Sequence, residues 1–112
     1  MPVERGGNVQ YTIFNIINPS ITVLSPNGGE KWKHGTRHTI SWKSTGSTGD
    51  HVKIELLKSG SSNRVISSRT DNDGSFSWTI LNSQTLGNDY KIKITSTKGY
   101  SDTSNSNFRI AS

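Results

Sequence analysis

Asp71-Asn72-Asp73-Gly74 is where this chain comes nearest to holding a metal, because alternate oxygen donors and a turn-permitting glycine open a calcium loop. Such a loop needs a further acidic ligand about twelve positions on. Position 82 is Asn, followed by Ser83 and Gln84. The expected structure is therefore a hairpin turn in which Asp73-Gly74 supplies the special backbone angles. Asp50, Asp89 and Asp102 are scattered through other expected loops. His34 and His38 are spaced for zinc only on a helix, and here they span a bend and a strand start; His51 stands apart. Serine, histidine and aspartate are all present without a Gly-x-Ser-x-Gly elbow or comparable nucleophile context. Glu4, Glu30 and Glu55 each lie among basic or polar neighbours, so no carboxylate pair is read, and thiol chemistry needs a cysteine that the chain lacks. No catalytic residue, no metal and no cofactor is expected.

The cations make a more coherent pattern. Net charge is +5 and the isoelectric point is near 9.8. If the strands around residues 53, 92 and 109 share a sheet, Lys53, Lys91, Lys93 and Arg109 fall on one outward face with a single acid, Glu55. Lys31, Lys33, Arg37 and Lys43 form a second patch near the first bend. Such faces attract anionic polymers through counterion release, acidic polysaccharide first and nucleic acid less selectively. The competing reading is a solvated face that keeps the domain soluble. No stacking strand or recognition helix accompanies the lysines, so no specific nucleic-acid partner is expected. Aromatic rings laid flat would complete a sugar platform, but Trp42 shares a phase with Ile40, and Trp78 sits between Phe76 and Ile80. Trp32, Trp42, Trp78, Phe76, Tyr90 and Phe108 are all assigned to the core, Trp32 as a plug behind the bend. Tyr100, in Lys98-Gly99-Tyr100, and Tyr11 remain as exposed rings, and Tyr100 joins the four cations as the candidate ligand site.

The elements that must position these residues are strands. Seven segments alternate with period two between turn signals, and helical periodicity is absent. Inward residues are Ile21 and Val23; Ile40 and Trp42; Val52, Ile54 and Leu56; Phe76, Trp78 and Ile80; Tyr90, Ile92 and Ile94; Phe108 and Ile110. Arg64 to Arg69 reads as a short polar edge strand whose arginines discourage pairing with other chains. The expected fold is an all-β Ig-like or fibronectin type III-like sandwich of about seven antiparallel strands, with an extra strand or tail before it. Tyr90 opens its strand where such sandwiches close a corner through a tyrosine hydroxyl. A 29% hydrophobic content suits a thin two-layer core, while roughly a quarter Ser and Thr suits exposed strand faces.

Ser25-Pro26-Asn27-Gly28-Gly29 is a turn cluster, since Pro presets φ and Asn-Gly-Gly tolerates positive φ. The run SPNGGExW, with Gly35 and then Ile40-Ser41-Trp42, resembles the Ig-like domain at the N-terminus of fungal cell-wall glucan-assembly proteins, a Ser/Thr-rich GPI-anchored family. Similar units recur in secreted bacterial and archaeal surface proteins. The resemblance covers roughly residues 20 to 110. It implies a non-catalytic module of a secreted or cell-surface multidomain protein, acting as spacer or wall contact, with Glu30 bonded to the turn amides. It carries over no ligand residues. The alternative is a carbohydrate-binding module for an acidic or wall polysaccharide.

Residues 20–112 are assigned to the sandwich and 1–19 to a tail, a linker or the last strand of a preceding copy. Phe14-Asn15-Ile16 and Phe108-Arg109-Ile110 share one offset (108 − 14 = 94), about one unit of this kind, which suggests tandem copies. An ordinary edge strand or a disordered tail is the simpler alternative. Glu4, Arg5 and a polar run through Asn15 give no export signal, so an exported module is expected to be part of something longer. No stretch is long and apolar enough to span a membrane, and membrane insertion is not expected. Asn18-Pro19-Ser20, the one glycosylation candidate, is blocked by its proline, which leans toward a prokaryotic source. A monomer is expected, contacting polysaccharide or neighbouring domains of its own chain, although an unpaired segment at 10–17 would also allow strand exchange.

Overall fold

The computed structural model describes residues 18–112; the readings of Tyr11 and of the segment before Asn18 lie outside the described residues. Strands form where the period-two pattern demands them. They are β1 (Ser20–Ser25), β2 (Lys31–Lys33), β3 (Arg37–Thr45), β4 (His51–Lys58), β5 (Ser61–Asp71), β6 (Ser75–Thr79), β7 (Gly87–Ser96), β8 (Ser101–Thr103) and β9 (Phe108–Ala111). The larger sheet runs β2-β9-β7-β4-β5, with β8 also on β7; the smaller runs β1-β3-β6. All pairs are antiparallel except β2 with β9. The fold is the expected all-β, Ig-like sandwich.

Facing side chains of the two sheets make one core: Ile21, Val23, Ile40, Trp42 and Trp78 from the smaller sheet, with Val52, Ile54, Leu56, Tyr90, Ile92, Ile94, Phe108 and Ile110 from the larger. Ile80, one position past β6, is also fully enclosed. Full burial of each such aliphatic side chain contributes roughly 1.5–3 kcal/mol, which lets a chain with few apolar residues fold. Trp32 and Phe76 are half-buried and pack against this cluster from its margin. The tyrosine corner closes as expected, with the Tyr90 hydroxyl donating to the Thr85 carbonyl at 2.5 Å and accepting from Gln84 Nε2 at 3.0 Å.

Three details differ from the sequence reading. The edge strand expected at 64–69 is eleven residues long, because β5 pairs with β4 along its whole length through three register shifts. Those shifts absorb a sequence without alternation. Asp71–Gly74 is not a hairpin turn, since β5 belongs to the larger sheet and β6 to the smaller; it is a corner between layers. Asn72 holds that corner. Its Oδ1 accepts from Trp42 Nε1 and from Ser44 Oγ, both at 2.8 Å, and its Nδ2 donates to Thr48 Oγ1 and the Gly49 carbonyl, both at 2.9 Å. Finally, β2 and β8 were not anticipated. Each is three residues long and exists only through its pairing partner.

Strand β1 starts at one pole and β9 ends at the other. Ser20 pairs with Thr45 beside the β3–β4 loop, the Asn72 corner and the β7–β8 turn. Ala111 lies at the opposite pole, where its carbonyl accepts from His34 N at 2.8 Å beside the β2–β3 turn.

Candidate functional site

Two regions carry the residues singled out above. The first is the Pro26–Glu30 bend, which carries the chain from β1 in the smaller sheet to β2 in the larger. Glu30 folds back over it, its Oε2 accepting from Asn27 N at 2.9 Å and its Oε1 from Gly28 N at 2.8 Å. These charge-assisted bonds satisfy amides that a sharp turn leaves without partners. The Asn27 side chain accepts from Asn105 N at 2.8 Å, and Gly29 N donates to the Asn107 carbonyl at 2.9 Å. Buried Ser104 donates from Oγ to the Pro26 carbonyl at 2.6 Å. The bend is thereby laced to the β8–β9 connection. Gly28 is required there: its φ is +149°, and an added Cβ would come within 2.8 Å of Ser106 Cβ.

Just past the bend, Trp32 stacks on His38 with ring centroids 4.4 Å apart and planes within 2°. It also meets Phe108 at 5.5 Å and the edge of Trp78 at 6.3 Å. Thr36 Oγ1 gives its one proton to the Lys33 carbonyl, which assigns the proton of the 2.7 Å Thr36–His38 contact to His38 Nε2. Burial lowers the proton affinity of His38 by disfavouring the cation. His34 bonds through Nδ1 to the Asn82 carbonyl, and His51 lies between Arg69 at 3.2 Å and Asp71 at 3.6 Å. The three imidazoles occupy three separate settings. Among the described residues no group of three or more His, Asp or Glu side chains is placed to hold a metal.

The second region is the outer face of the larger sheet. Register sets Glu55 opposite Lys93 and Leu57 opposite Lys91, with Lys53 opposite Thr95. From the other side Val65 lies against Glu55. Lys53, Lys91 and Lys93 thus share a face with one carboxylate, which is engaged by Lys53 Nζ at 3.8 Å and by Ser62 Oγ at 3.1 Å. Lys91 and Lys93 are half-buried. Arg109 points outward from β9, in register with Lys31 of β2. That neighbour was placed in a different patch by sequence reading, because nothing local announces the β2–β9 pairing. Tyr100 stands apart from the cations. It is 37% exposed in the β7–β8 turn, and its backbone pairs with Ser96, a buried position outside the Lys91, Lys93, Thr95 alternation.

Other polar residues serve the frame. Asp89 accepts both of its 2.9 Å contacts from Lys58 Nζ and a further bond from Ser59 Oγ. The hydrogen bond from Lys58 holds the Asp89 carboxyl below the usual carboxylate range, and the same bond raises the Lys58 ammonium. Lys58 also stands 5.2 Å over the Tyr90 ring. Asp102 Oδ2 accepts from Val23 N at 2.8 Å, tying β8 to β1 across the sheet edges.

Within this geometry the bend motif, the half-buried tryptophan behind it and the tyrosine corner occur together, and the sequence profile of the Kre9/KNH-like N-terminal Ig-like domain matches residues 25–109. The chain belongs to that family. Among solved structures, the fibronectin(III)-like modules of Clostridium thermocellum CbhA are similar at 22% identity, over 81% of this chain and 92% of that one, with a TM-score of 0.46. No protein among the curated ones matches. In this Kre9/KNH-like domain the matched segment runs from the bend to β9, so the family's span takes in both regions described above.

Proposed function

We propose that this Kre9/KNH-like domain is a non-catalytic accessory module of a secreted or cell-surface multidomain protein, working as a structural spacer or wall-contact unit. The observation that carries the reading is the inward use of the family motif. Glu30, Asn27 and Gly29 each bond to backbone of this chain, and Trp32 leans on the core, so the motif builds the module. A second reading is favoured by the outer face of the larger sheet. Lys53, Lys91 and Lys93, with the apolar Leu57 and Val65 among them, suit an acidic polysaccharide lying across β4 and β7. Arg109 and Lys31 extend that face along β9 and β2, whereas Tyr100 would contact only a polymer that also reached the N-terminal pole.

Co-sedimentation with insoluble wall polysaccharides, and retention on immobilised neutral and acidic ones, at low and moderate salt separates the two. The spacer reading expects either no retention or weak retention on every polyanion that disappears with salt. Salt-resistant retention on one polymer would replace it with the carbohydrate-binding reading.

A further inference from the structure

We infer that the Lys31–Arg109 corner of the larger sheet is a binding site for a hexuronate, one sugar of an acidic polysaccharide held by its carboxylate. The inference rests on the acidic-polysaccharide reading and gives it a place. Register makes the corner. Lys31 and Arg109 are exposed partners on the parallel strands β2 and β9, so two cations stand side by side. Beside them the β9–β7 ladder is irregular: Phe108 pairs with Tyr90 but Ile110 with Gly87, which sets Asn88 and Asp89 together against Arg109. Such a bulge re-aims side chains and is frequent beside functional sites. Here it adjoins a concavity of about 580 Å³ lined by Lys31, Leu86, Asn88 and Arg109.

Among the described residues the pair has no counter-charge, since neither cation lies within 4.0 Å of a carboxylate. The acids beside the corner are committed elsewhere. Glu30, next to Lys31, is bonded to the amides of Asn27 and Gly28, and Asp89, across from Arg109, is bonded to Lys58 and Ser59. No acidic side chain of the described residues lines the concavity. Like charges so placed repel, and an anion between them turns the repulsion into attraction. The planar guanidinium of Arg109 offers a carboxylate two parallel N–H donors, and the Lys31 ammonium adds a point charge. The rest of the lining suits a sugar better than a bare anion. The exposed Asn88 amide can both donate to and accept from ring hydroxyls, while Leu86, 47% exposed, offers the C–H face of a pyranose an apolar surface. The concavity is of the size that holds small ligands.

The test titrates the full chain with galacturonate trisaccharide and follows the backbone amides by NMR. Shifts are expected at Lys31, Asn88 and Arg109. They should be weak with the fully methyl-esterified trisaccharide, which keeps the rings and loses the charge, and with sulfate, which keeps charge and lacks the ring. Arg109→Gln should weaken binding about tenfold through loss of the charge-assisted pair. Lys31→Gln, on a different strand, is the independent variant and should weaken it as well, while replacing Lys91 and Lys93 by Gln should change it little. No shift at the corner, shifts centred on Lys53, Lys91 and Lys93, or sulfate bound as tightly as the trisaccharide would overturn the inference. An acidic polymer retained equally by the parent and by Arg109→Gln would overturn this site and leave the polysaccharide reading intact. No retention of any acidic polymer by the parent would strike that reading, and the inference with it.

Discussion

The Pro26–Glu30 bend and the outer face of the larger sheet are both built from polar residues, and they direct them oppositely. At the bend a carboxylate, an amide side chain and several backbone groups close on one another and on the β8–β9 connection. On the sheet face, Lys91 and Lys93 have no short contact to a carboxylate among the described residues, and Glu55 is left to Lys53. The difference teaches where to look for function in such a module. The residues of the family motif are spent on holding the fold, while the lysines of the face are not held by it.

Breaking the bend has the largest expected effect. Gly28→Ala meets both the φ of +149° and the Ser106 Cβ, and should cost about 2 kcal/mol or more, a fall in Tm of roughly 8 °C or beyond. Gly29→Ala is the control, since its added Cβ meets nothing within 4 Å and only the φ of +81° opposes it. A smaller loss by thermal melting is expected there, on the order of 1 kcal/mol.

Acidification gives an intermediate effect that sharpens the comparison, because it acts on the Trp32–His38 stack behind the bend and spares the lysine face. Burial depresses the folded-state proton affinity of His38, so its contribution is complete above the ordinary imidazole range near 6.5 and is lost as pH falls through the lower folded value. Melting temperature measured from pH 7.5 downward should fall over this window, with a change in Trp32 emission. His38→Gln should remove both changes. The Lys58-bonded Asp89 adds a second loss only below the ordinary carboxylate range near 4, as its depressed folded pKa is passed.

The smallest effect on stability belongs to the face. Lys53, Lys91 and Lys93 replaced together by Gln should change stability by less than about 0.5 kcal/mol in urea titration. Elution from a polyanionic resin should nonetheless move to lower salt, since fewer counterions are released on binding.

Much of this was legible in the chain. Period-two alternation names the core of both sheets because each inward side chain sits over a neighbour two residues away. The Glu30 bonds were implied by the family resemblance and the Tyr90 corner by likeness to other sandwiches, and each spans five residues or fewer. What stayed hidden depends on distant partners. Lys31–Lys33 has no strand character of its own and is ordered by β9, nearly eighty positions away, so Lys31 could not be set beside Arg109. Asn72 read as a turn residue because its partners, Trp42, Ser44, Thr48 and Gly49, come from an earlier strand and loop. Tyr100 was grouped with the cations by exposure alone, and the turn that carries it places it at a pole.

Heat unfolding of Glu30→Ala at pH 7, run beside the triple lysine variant and followed by polysaccharide retention of both, tests the division between bend and face most directly. Loss of the two bonds to Asn27 N and Gly28 N should destabilise Glu30→Ala by about 1–2 kcal/mol and leave any retention of the still-folded protein unchanged, while the lysine variant melts like the parent. A Glu30→Ala protein that melts like the parent but no longer holds a polysaccharide would contradict it, and would make the family motif a binding site.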